Sequence, residues 1–374
     1  MPQSNIEHHS AWSQIGIPIV QWLALSGLLV MFLLIVAGGD HPPQMLKNPE
    51  VLSSQSGNPF ALGALRDRLP PRGIERVMDY IQYYRVNRRR GLEEGLARST
   101  RYLHSFKRIF REASLPEELA YLPLIESGFI EHAVSSANAV GIWQFIEETG
   151  RRYDLKVSRW FDQKRDPIHS ARAAAKYLAH LYDRFEDWDL ALAAYNSGEG
   201  TIYWAKRANQ KAGLPTDFWS LDLPEETWNY VPAFLGALLI AKNPEAWGFH
   251  GIEFMPELVF DQLKVDSGLS LREIARHLGT SHEILLDLNP GLVAGITPPG
   301  KHPFLLRVPP SLHELLADEL ADPNRDLLLY RVTAKDTLQR LASRFRASPN
   351  AILKVNGLDS NKDLKPGRFV IIPL

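Results

Sequence analysis

The chain of 374 residues contains no cysteine. This absence excludes disulfide bonds, thiolate metal sites, a cysteine nucleophile and a lipid-modified N-terminal cysteine. The sequence also lacks a His-Glu-x-x-His motif, a Gly-x-Ser-x-Gly motif and a glycine-rich nucleotide loop behind a strand, and its 12 histidines have no ligand spacing. The net charge is −1, so bulk charge favours no polyanionic partner. We therefore predict no cofactor, no metal and no nucleic-acid partner.

Residues 17–37 form a long run without any charged side chain. As a helix, at about 1.5 Å per residue, this run matches the roughly 30 Å of a bilayer core. We predict a tail at 1–16, a transmembrane anchor or signal segment at 17–38, and a flexible spacer at 39–64 that is rich in Pro, Ser, Gly and Asn. A retained anchor is favoured, because the run exceeds a usual signal core and the tail has no Lys or Arg. Small residues at Val36–Gly39 keep signal cleavage open as an alternative.

Helical patterns dominate the middle of the chain. Asp166-Pro167 predicts a helix start, with an aspartate N-cap and proline at the first helical position. A second helix covers Leu190–Tyr195 and ends at Asn196–Gly198, and a third runs through Leu223–Ile240. Residues 115–247 contain no alternating strand pattern, so this region is predicted to be wholly helical.

The C-terminal third contains an internal repeat. A shift of 67 positions, from Lys264 to Arg331, aligns the two copies and brings Asn289 onto Asn356. Each copy ends in an apolar run, Phe304–Val308 or Phe369–Ile372. The pattern predicts strand, helix, helix, strand in each copy.

In the helical middle of the chain, Glu126 is a candidate functional residue. It follows an apolar stripe of Leu119, Leu122 and Ile125, and Ser127-Gly128 should end the helix there. A carboxyl packed against apolar side chains has a raised pKa, which suits a general acid near neutral pH. On position alone, an ordinary exposed glutamate at a helix end is the favoured interpretation.

Four motifs that follow one another along the chain favour a functional role for Glu126 instead. They are Glu126-Ser127, Gly141–Gln144 (Gly-Ile-Trp-Gln), Ala194–Asn196 (Ala-Tyr-Asn) and Glu226–Pro232. Together they resemble the membrane-bound lytic murein transglycosylase D family. The resemblance extends from about residue 65 to the end of the chain. The resemblance implies a mainly α fold: a lysozyme-like α-helical catalytic domain at 65–250, then two small α+β LysM-like modules, a degenerate one at 258–310 and a second at 327–374.

The resemblance also implies roles for single residues. Glu126 matches the catalytic acid/base. Trp143 stands where the wider superfamily has Met, and we interpret it as a sugar-stacking or cleft-packing choice, with a core tryptophan as the alternative. The implied substrate-binding residues are Ser127, Gln144, Tyr195, Asn196 and Tyr230.

The implied reaction cleaves the β-1,4 bond between N-acetylmuramic acid and N-acetylglucosamine in peptidoglycan and leaves 1,6-anhydromuramic ends. No second carboxylate stands out as a partner for Glu126, since Glu147 and Glu148 are expected to be solvated. A lysozyme-type hydrolase and a non-catalytic peptidoglycan-binding scaffold remain alternatives. The implied location is the bacterial envelope, inner-membrane anchored with periplasmic domains, or the periplasm after signal cleavage. We expect the second LysM-like module to bind glycan, whereas the first either binds glycan or serves as a packing adaptor.

Overall fold

The computed structural model describes residues 58–300, 302–310, 327–360 and 363–374. The predicted membrane segment at 17–38 and most of the spacer lie outside these ranges. Within them, every helix is too short or too polar to cross a bilayer.

The first part of the described chain is helical and enters the structure at Asn58. It also contains three short 3-10 helices: Glu117–Tyr121 and Phe218–Ser220 lie between α-helices, and Glu245–Trp247 follows the last one. The α-helices are α1 (Leu62–Arg68), α2 (Pro71–Val86), α3 (Arg89–Ser99), α4 (Leu103–Glu112), α5 (Pro123–Glu126), α6 (Glu147–Arg152), α7 (Pro167–Phe185), α8 (Trp188–Ser197), α9 (Glu199–Ala212) and α10 (Glu225–Lys242).

The predicted helix ends are confirmed where a cap defines them. Asp166 caps α7 by accepting hydrogen bonds from the amides of Ile168 at 3.0 Å and His169 at 2.9 Å. Helix α8 ends before Gly198, whose φ of +83° suits glycine. One residue at each boundary therefore sets the start of α7 and the end of α8.

Helix α10 lies at the centre of the helical part. From residue 230 to residue 241 it is apolar on all sides, which is typical of a buried helix, and it packs against α2 and α8. Val231, Phe234 and Leu235 are fully buried in it. The surrounding core extends from Phe60 to Phe249. The first turn of α10 is thereby held beside the ends of α5 and α8.

The C-terminal part has the predicted strand, helix, helix, strand order twice. Its strands form one sheet in the order β2-β1-β3-β4, antiparallel within each copy. The two copies join where β1 and β3 run parallel, at Lys264–Leu328 and Val265–Leu329. The elements are β1 (Asp261–Val265), α11 (Leu271–Leu278), α12 (His282–Leu288), β2 (Phe304–Val308), β3 (Leu327–Arg331), α13 (Leu338–Phe345), α14 (Pro349–Val355) and β4 (Phe369–Pro373). This architecture confirms the predicted fold class.

The first copy packs directly on the helical part. Arg307 in β2 donates to the Asp166 carboxylate at 2.8 Å, and their side chains are only 7% and 12% exposed. Burial acts to raise the pKa of Asp166, but the hydrogen bond from His169 and the charge of Arg307 outweigh it and lower that pKa. Nearby, the amide of Asp162 donates to the carbonyl of Gly291 at 2.8 Å. These buried contacts favour the adaptor interpretation of the first copy.

Candidate active site

Glu126 is the last residue of α5. The preceding 3-10 helix and α5 bury Leu119 and Leu122 completely, so the carboxyl-bearing end of α5 is fixed against the core. The chain then turns sharply, because Gly128 and Phe129 both adopt positive φ, +60° and +62°. The expected helix break after Glu126 is therefore confirmed.

Ser127 connects this turn to the loop that carries the Gly-Ile-Trp-Gln motif. Its side chain is buried, donates to the carbonyl of Ile142 at 2.8 Å and accepts from the amide of Ile130 at 3.3 Å. Gly141 enters the loop with a φ of +85°, and a Cβ atom there would lie 1.9 Å from the carbonyl oxygen of Lys164. Only glycine fits this close approach of two backbones, and the hydrogen bond from Ser127 to Ile142 holds the loop beside the turn that follows Glu126.

The electrostatics of Glu126 suit proton transfer near neutral pH. Burial raises the pKa of Glu126 to about 7, a hydrogen bond donated by the Tyr230 hydroxyl acts to lower it, and the negative charge of Glu226 acts to raise it. A carboxyl with this pKa exchanges a proton readily at pH 7. Tyr230 itself is 9% exposed and lies one turn along α10 from Glu226.

Tyr195, near the end of α8, lies on another side of the carboxyl. Burial, and then the charge of Glu126, raise the pKa of Tyr195 well above its usual value, so the two side chains share one environment. The Tyr195 hydroxyl donates to the carbonyl of Trp143 at 2.8 Å. Helix α8 and the motif loop are thus joined next to Glu126.

The two predicted amides have different surroundings. Asn196 donates to the Glu226 carboxylate at 3.1 Å and accepts from the Thr227 hydroxyl at 3.0 Å. Gln144 donates to the carbonyl of Gly141 at 2.8 Å, within its own loop. The structure therefore brings Ser127, Tyr195, Asn196 and Tyr230 around Glu126, directly or through Glu226, and engages Gln144 in shaping the loop.

Two features differ from the sequence interpretation. Trp143 is fully buried and packs against Phe106 and Phe110, with ring centroids 5.3 and 5.5 Å away, so the sugar-stacking interpretation is wrong and the core alternative holds. Glu226 is an exposed carboxylate that acts on Glu126, and the sequence analysis gave it no role. Its signal was the spacing to Tyr230, because residues four apart share one helix face.

Other acidic groups lie apart from this arrangement. Glu147 and Glu148 are exposed, as expected, and Glu147 pairs with Arg151 at 2.7 Å. Over the part of the chain that the structure describes, no three His, Asp or Glu side chains gather closely enough to hold a metal ion. The chemistry available at the site is proton transfer by Glu126, whose carboxyl accepts a hydrogen bond from the Tyr230 hydroxyl.

Comparison with known proteins identifies family matches in the helical part and in both C-terminal repeats. Residues 105–215 match the family described as Transglycosylase SLT domain, and residues 330–373 match the LysM domain. Residues 259–325 match the family described as Lytic transglycosylase MltD, LysM-like domain.

Two relatives show how far the similarity extends. The chain is 33% identical over 160 residues to membrane-bound lytic murein transglycosylase F of Maricaulis maris (strain MCS10), covering 39% of this chain and 31% of that protein. It is 35% identical over 313 residues to membrane-bound lytic murein transglycosylase D of Escherichia coli (strain K12), covering 80% of this chain and 69% of that protein. With this coverage, and with a transglycosylase domain followed by two LysM-type modules in this chain, the chain belongs to the membrane-bound lytic murein transglycosylase D family.

Proposed function

We propose that Glu126 is the single acid/base with which this peptidoglycan lytic transglycosylase cleaves the β-1,4 bond between N-acetylmuramic acid and N-acetylglucosamine. The observation that carries the assignment is the place of the Glu126 carboxyl at the end of α5, where the Tyr230 hydroxyl donates to it and burial raises its pKa to about 7. A carboxyl that is protonated about half the time at neutral pH serves both halves of a reaction that needs first an acid and then a base.

In the first half, protonated Glu126 gives its proton to the glycosidic oxygen, and the bond to the leaving sugar breaks. The substrate's own acetamido group stabilises the oxocarbenium-like centre. Glu126 is now a carboxylate, and the hydroxyl of Tyr230 donates a hydrogen bond to it. Hydrogen bonds to charged groups are stronger than neutral ones, so Tyr230 stabilises the charged form and holds its orientation.

In the second half, the Glu126 carboxylate takes the proton from the C6 hydroxyl of the muramic sugar, whose oxygen closes the 1,6-anhydro ring. Because this nucleophile belongs to the substrate, its effective concentration is high and no protein group has to position a water. Glu126 returns to its protonated form.

Glu226 is the observation that favours a lysozyme-type hydrolase as a second candidate, since ordinary glycosidases use two carboxylates. Its carboxylate is exposed and already accepts a hydrogen bond from Asn196, which favours an indirect role. Burial is the main cause of the raised pKa of Glu126, and the negative charge of Glu226 adds to it. The two candidates differ in their products, because hydrolysis leaves reducing muramic ends.

Three further assignments complete the proposal. Residues 65–250 form the catalytic domain, with Ser127, Tyr195, Asn196, Tyr230 and the loop of Gln144 around the substrate. The module at 327–374 binds glycan, and the one at 258–310 joins it to the catalytic domain. The segment at 17–38 anchors the chain in the inner membrane, with the enzyme in the periplasm where its substrate lies.

The test is the replacement Glu126→Gln, which keeps the shape of the side chain but removes its proton chemistry. Cleavage of peptidoglycan should fall by about 10²–10⁴-fold or more, with an unchanged circular dichroism spectrum. Glu148→Gln, at an exposed carboxylate on α6, is the matched control and should retain full activity. Equal activity of the two folded variants would refute the assignment.

A further inference from the structure

The outer face of α9 borders a basic groove that the reaction at Glu126 does not use. The groove has a volume of about 510 Å³ and lies between α9 and the last turn of α7. Four cationic side chains and two aromatic rings line it: Arg184, Lys206, Arg207, Lys211, Phe185 and Tyr203. We call this set the basic groove.

Most of its positive charge is uncompensated. Among the described residues, Lys206, Arg207 and Lys211 form no ion pair, and Arg184 lies 3.7 Å from Glu199. The chain as a whole has a net charge of −1, so this is a local concentration of positive charge. Such a surface attracts an anionic partner.

Exposed apolar side chains stand beside these charges. Trp204 is 65% exposed, Leu214 is 55% exposed and Tyr203 is 37% exposed. The guanidinium of Arg207 lies 5.9 Å from the Trp204 ring centroid. Tryptophan, tyrosine and basic residues together on one helix face are typical of helices that lie in a membrane interface. Carboxylates of peptidoglycan stem peptides would satisfy the cations but leave Trp204 and Leu214 in water.

The position of the groove agrees with a membrane partner. The chain enters the catalytic domain at Phe60, whose ring lies 6.0 Å from Trp188, and Trp188 stacks on Tyr182 at 4.3 Å. Tyr182 is on the same last turns of α7 that supply Arg184 and Phe185 to the groove. The point where the described chain begins, on the side of the proposed anchor, therefore lies close to the basic groove.

We propose that the basic groove and Trp204 dock on anionic phospholipid headgroups of the membrane that carries the anchor. Docking would hold the catalytic domain in a fixed orientation at the membrane surface. This inference rests on the proposed anchor, which keeps the basic groove near the membrane, and not on the chemistry of Glu126. The docking proposal and the proposed reaction can therefore fail separately.

The absence of native cysteine allows one nitroxide label to be placed cleanly. Ala208→Cys lies on the exposed side of α9, one turn from Trp204, and Arg90→Cys on α3, where the arginine side chain is 92% exposed, is the matched control. The labelled full chain is incorporated in nanodiscs of phosphatidylcholine alone or mixed equally with phosphatidylglycerol. Incorporation into the discs tests the anchor. Docking is measured by how often the label collides with oxygen, which enters the membrane, and with a nickel complex, which stays in water.

We expect the label at 208 to become protected from nickel only in discs with phosphatidylglycerol, and the label at 90 to stay accessible in both. The combined changes Lys206→Gln, Arg207→Gln and Lys211→Gln should reduce the docking equilibrium about 100-fold, at about fivefold per basic residue. An equal charge loss at exposed Lys156, Arg159 and Arg172 should have little effect. The proposal is overturned if the label at 208 stays in water with both lipids, if protection survives loss of the three charges, or if only added peptidoglycan protects it.

Discussion

The environment of Glu126 makes a specific prediction for the pH dependence of cleavage. In the proposed reaction the Glu126 carboxyl acts first as an acid, so turnover should require its protonated form. With a pKa raised to about 7, its protonated fraction falls from about one half at pH 7 to about one hundredth at pH 9. We therefore expect kcat/KM on soluble glycan fragments to fall about tenfold per pH unit on the alkaline side.

Two neighbouring side chains should move this alkaline limb in opposite directions. Tyr230→Phe removes a hydrogen bond to the carboxylate, and such bonds contribute about 1.5–3 kcal/mol, so the limb should move up by about one to two pH units. Glu226→Gln removes a like charge. Exposed charges even 4 Å apart in water interact by only about 1 kcal/mol, so the limb should move down by about 0.7 unit or less.

The assay is separation of the cleavage products by liquid chromatography and mass spectrometry between pH 5 and pH 9. Glu225→Gln is the matched control, because Glu225 is exposed on the same turn of α10 and does not act on the pKa of Glu126. Its limb should coincide with that of the unmodified enzyme. If active Tyr230→Phe and Glu226→Gln variants shift the limb in the same direction, or leave it in place, the account of how Glu126 is tuned is wrong.

Three further predictions concern the products and the C-terminal part. Mass spectrometry of digested peptidoglycan should find muramic ends that are lighter by one water than lysozyme products, and predominantly reducing ends would move the enzyme to the hydrolases. Removal of residues 327–374 should weaken co-sedimentation with insoluble peptidoglycan, since tethering raises avidity by about 10²–10⁴-fold, while turnover of short soluble fragments serves as the control; unchanged sedimentation would mean that this module has another role. Arg307→Leu removes the cationic partner of buried Asp166, which keeps only its contacts with His169 and the two capping amides, and should cost about 3–5 kcal/mol of unfolding free energy in denaturant titrations. The double variant Arg307→Leu with Asp166→Asn should lose less, and equal losses would contradict a direct interaction.

Features that depend on neighbouring residues in the chain could be predicted from the sequence. The cap at Asp166, the end of α8 at Gly198 and the helix break after Glu126 each follow from one to three adjacent residues. The strand, helix, helix, strand order of both repeats follows from local periodicity. These signals act within one element, so no knowledge of the tertiary structure was needed.

Features that depend on distant contacts were not accessible in this way. Trp143 has the amphipathic character of a sugar-binding residue, and only the packing of α4 against its loop shows that Phe106 and Phe110 bury it. Glu226 gains its influence from the close approach of α10 to α5, and Arg307 meets Asp166 across 141 positions of the chain. The internal repeat aligns β1 with β3, but nothing in the sequence shows that these two strands pair in parallel.

That parallel pairing, together with the buried contact of Arg307 with Asp166, has a geometrical consequence for cutting a polymer. The path from the Glu126 site to the second module passes through packed secondary structure: helix α7, strand β2 and a shared sheet. When the second module binds peptidoglycan, the active site therefore lies at a fixed distance from the point of attachment. Enzyme that stays bound should release glycan pieces whose lengths cluster around preferred values, and loosening the joint at Arg307 should broaden that distribution.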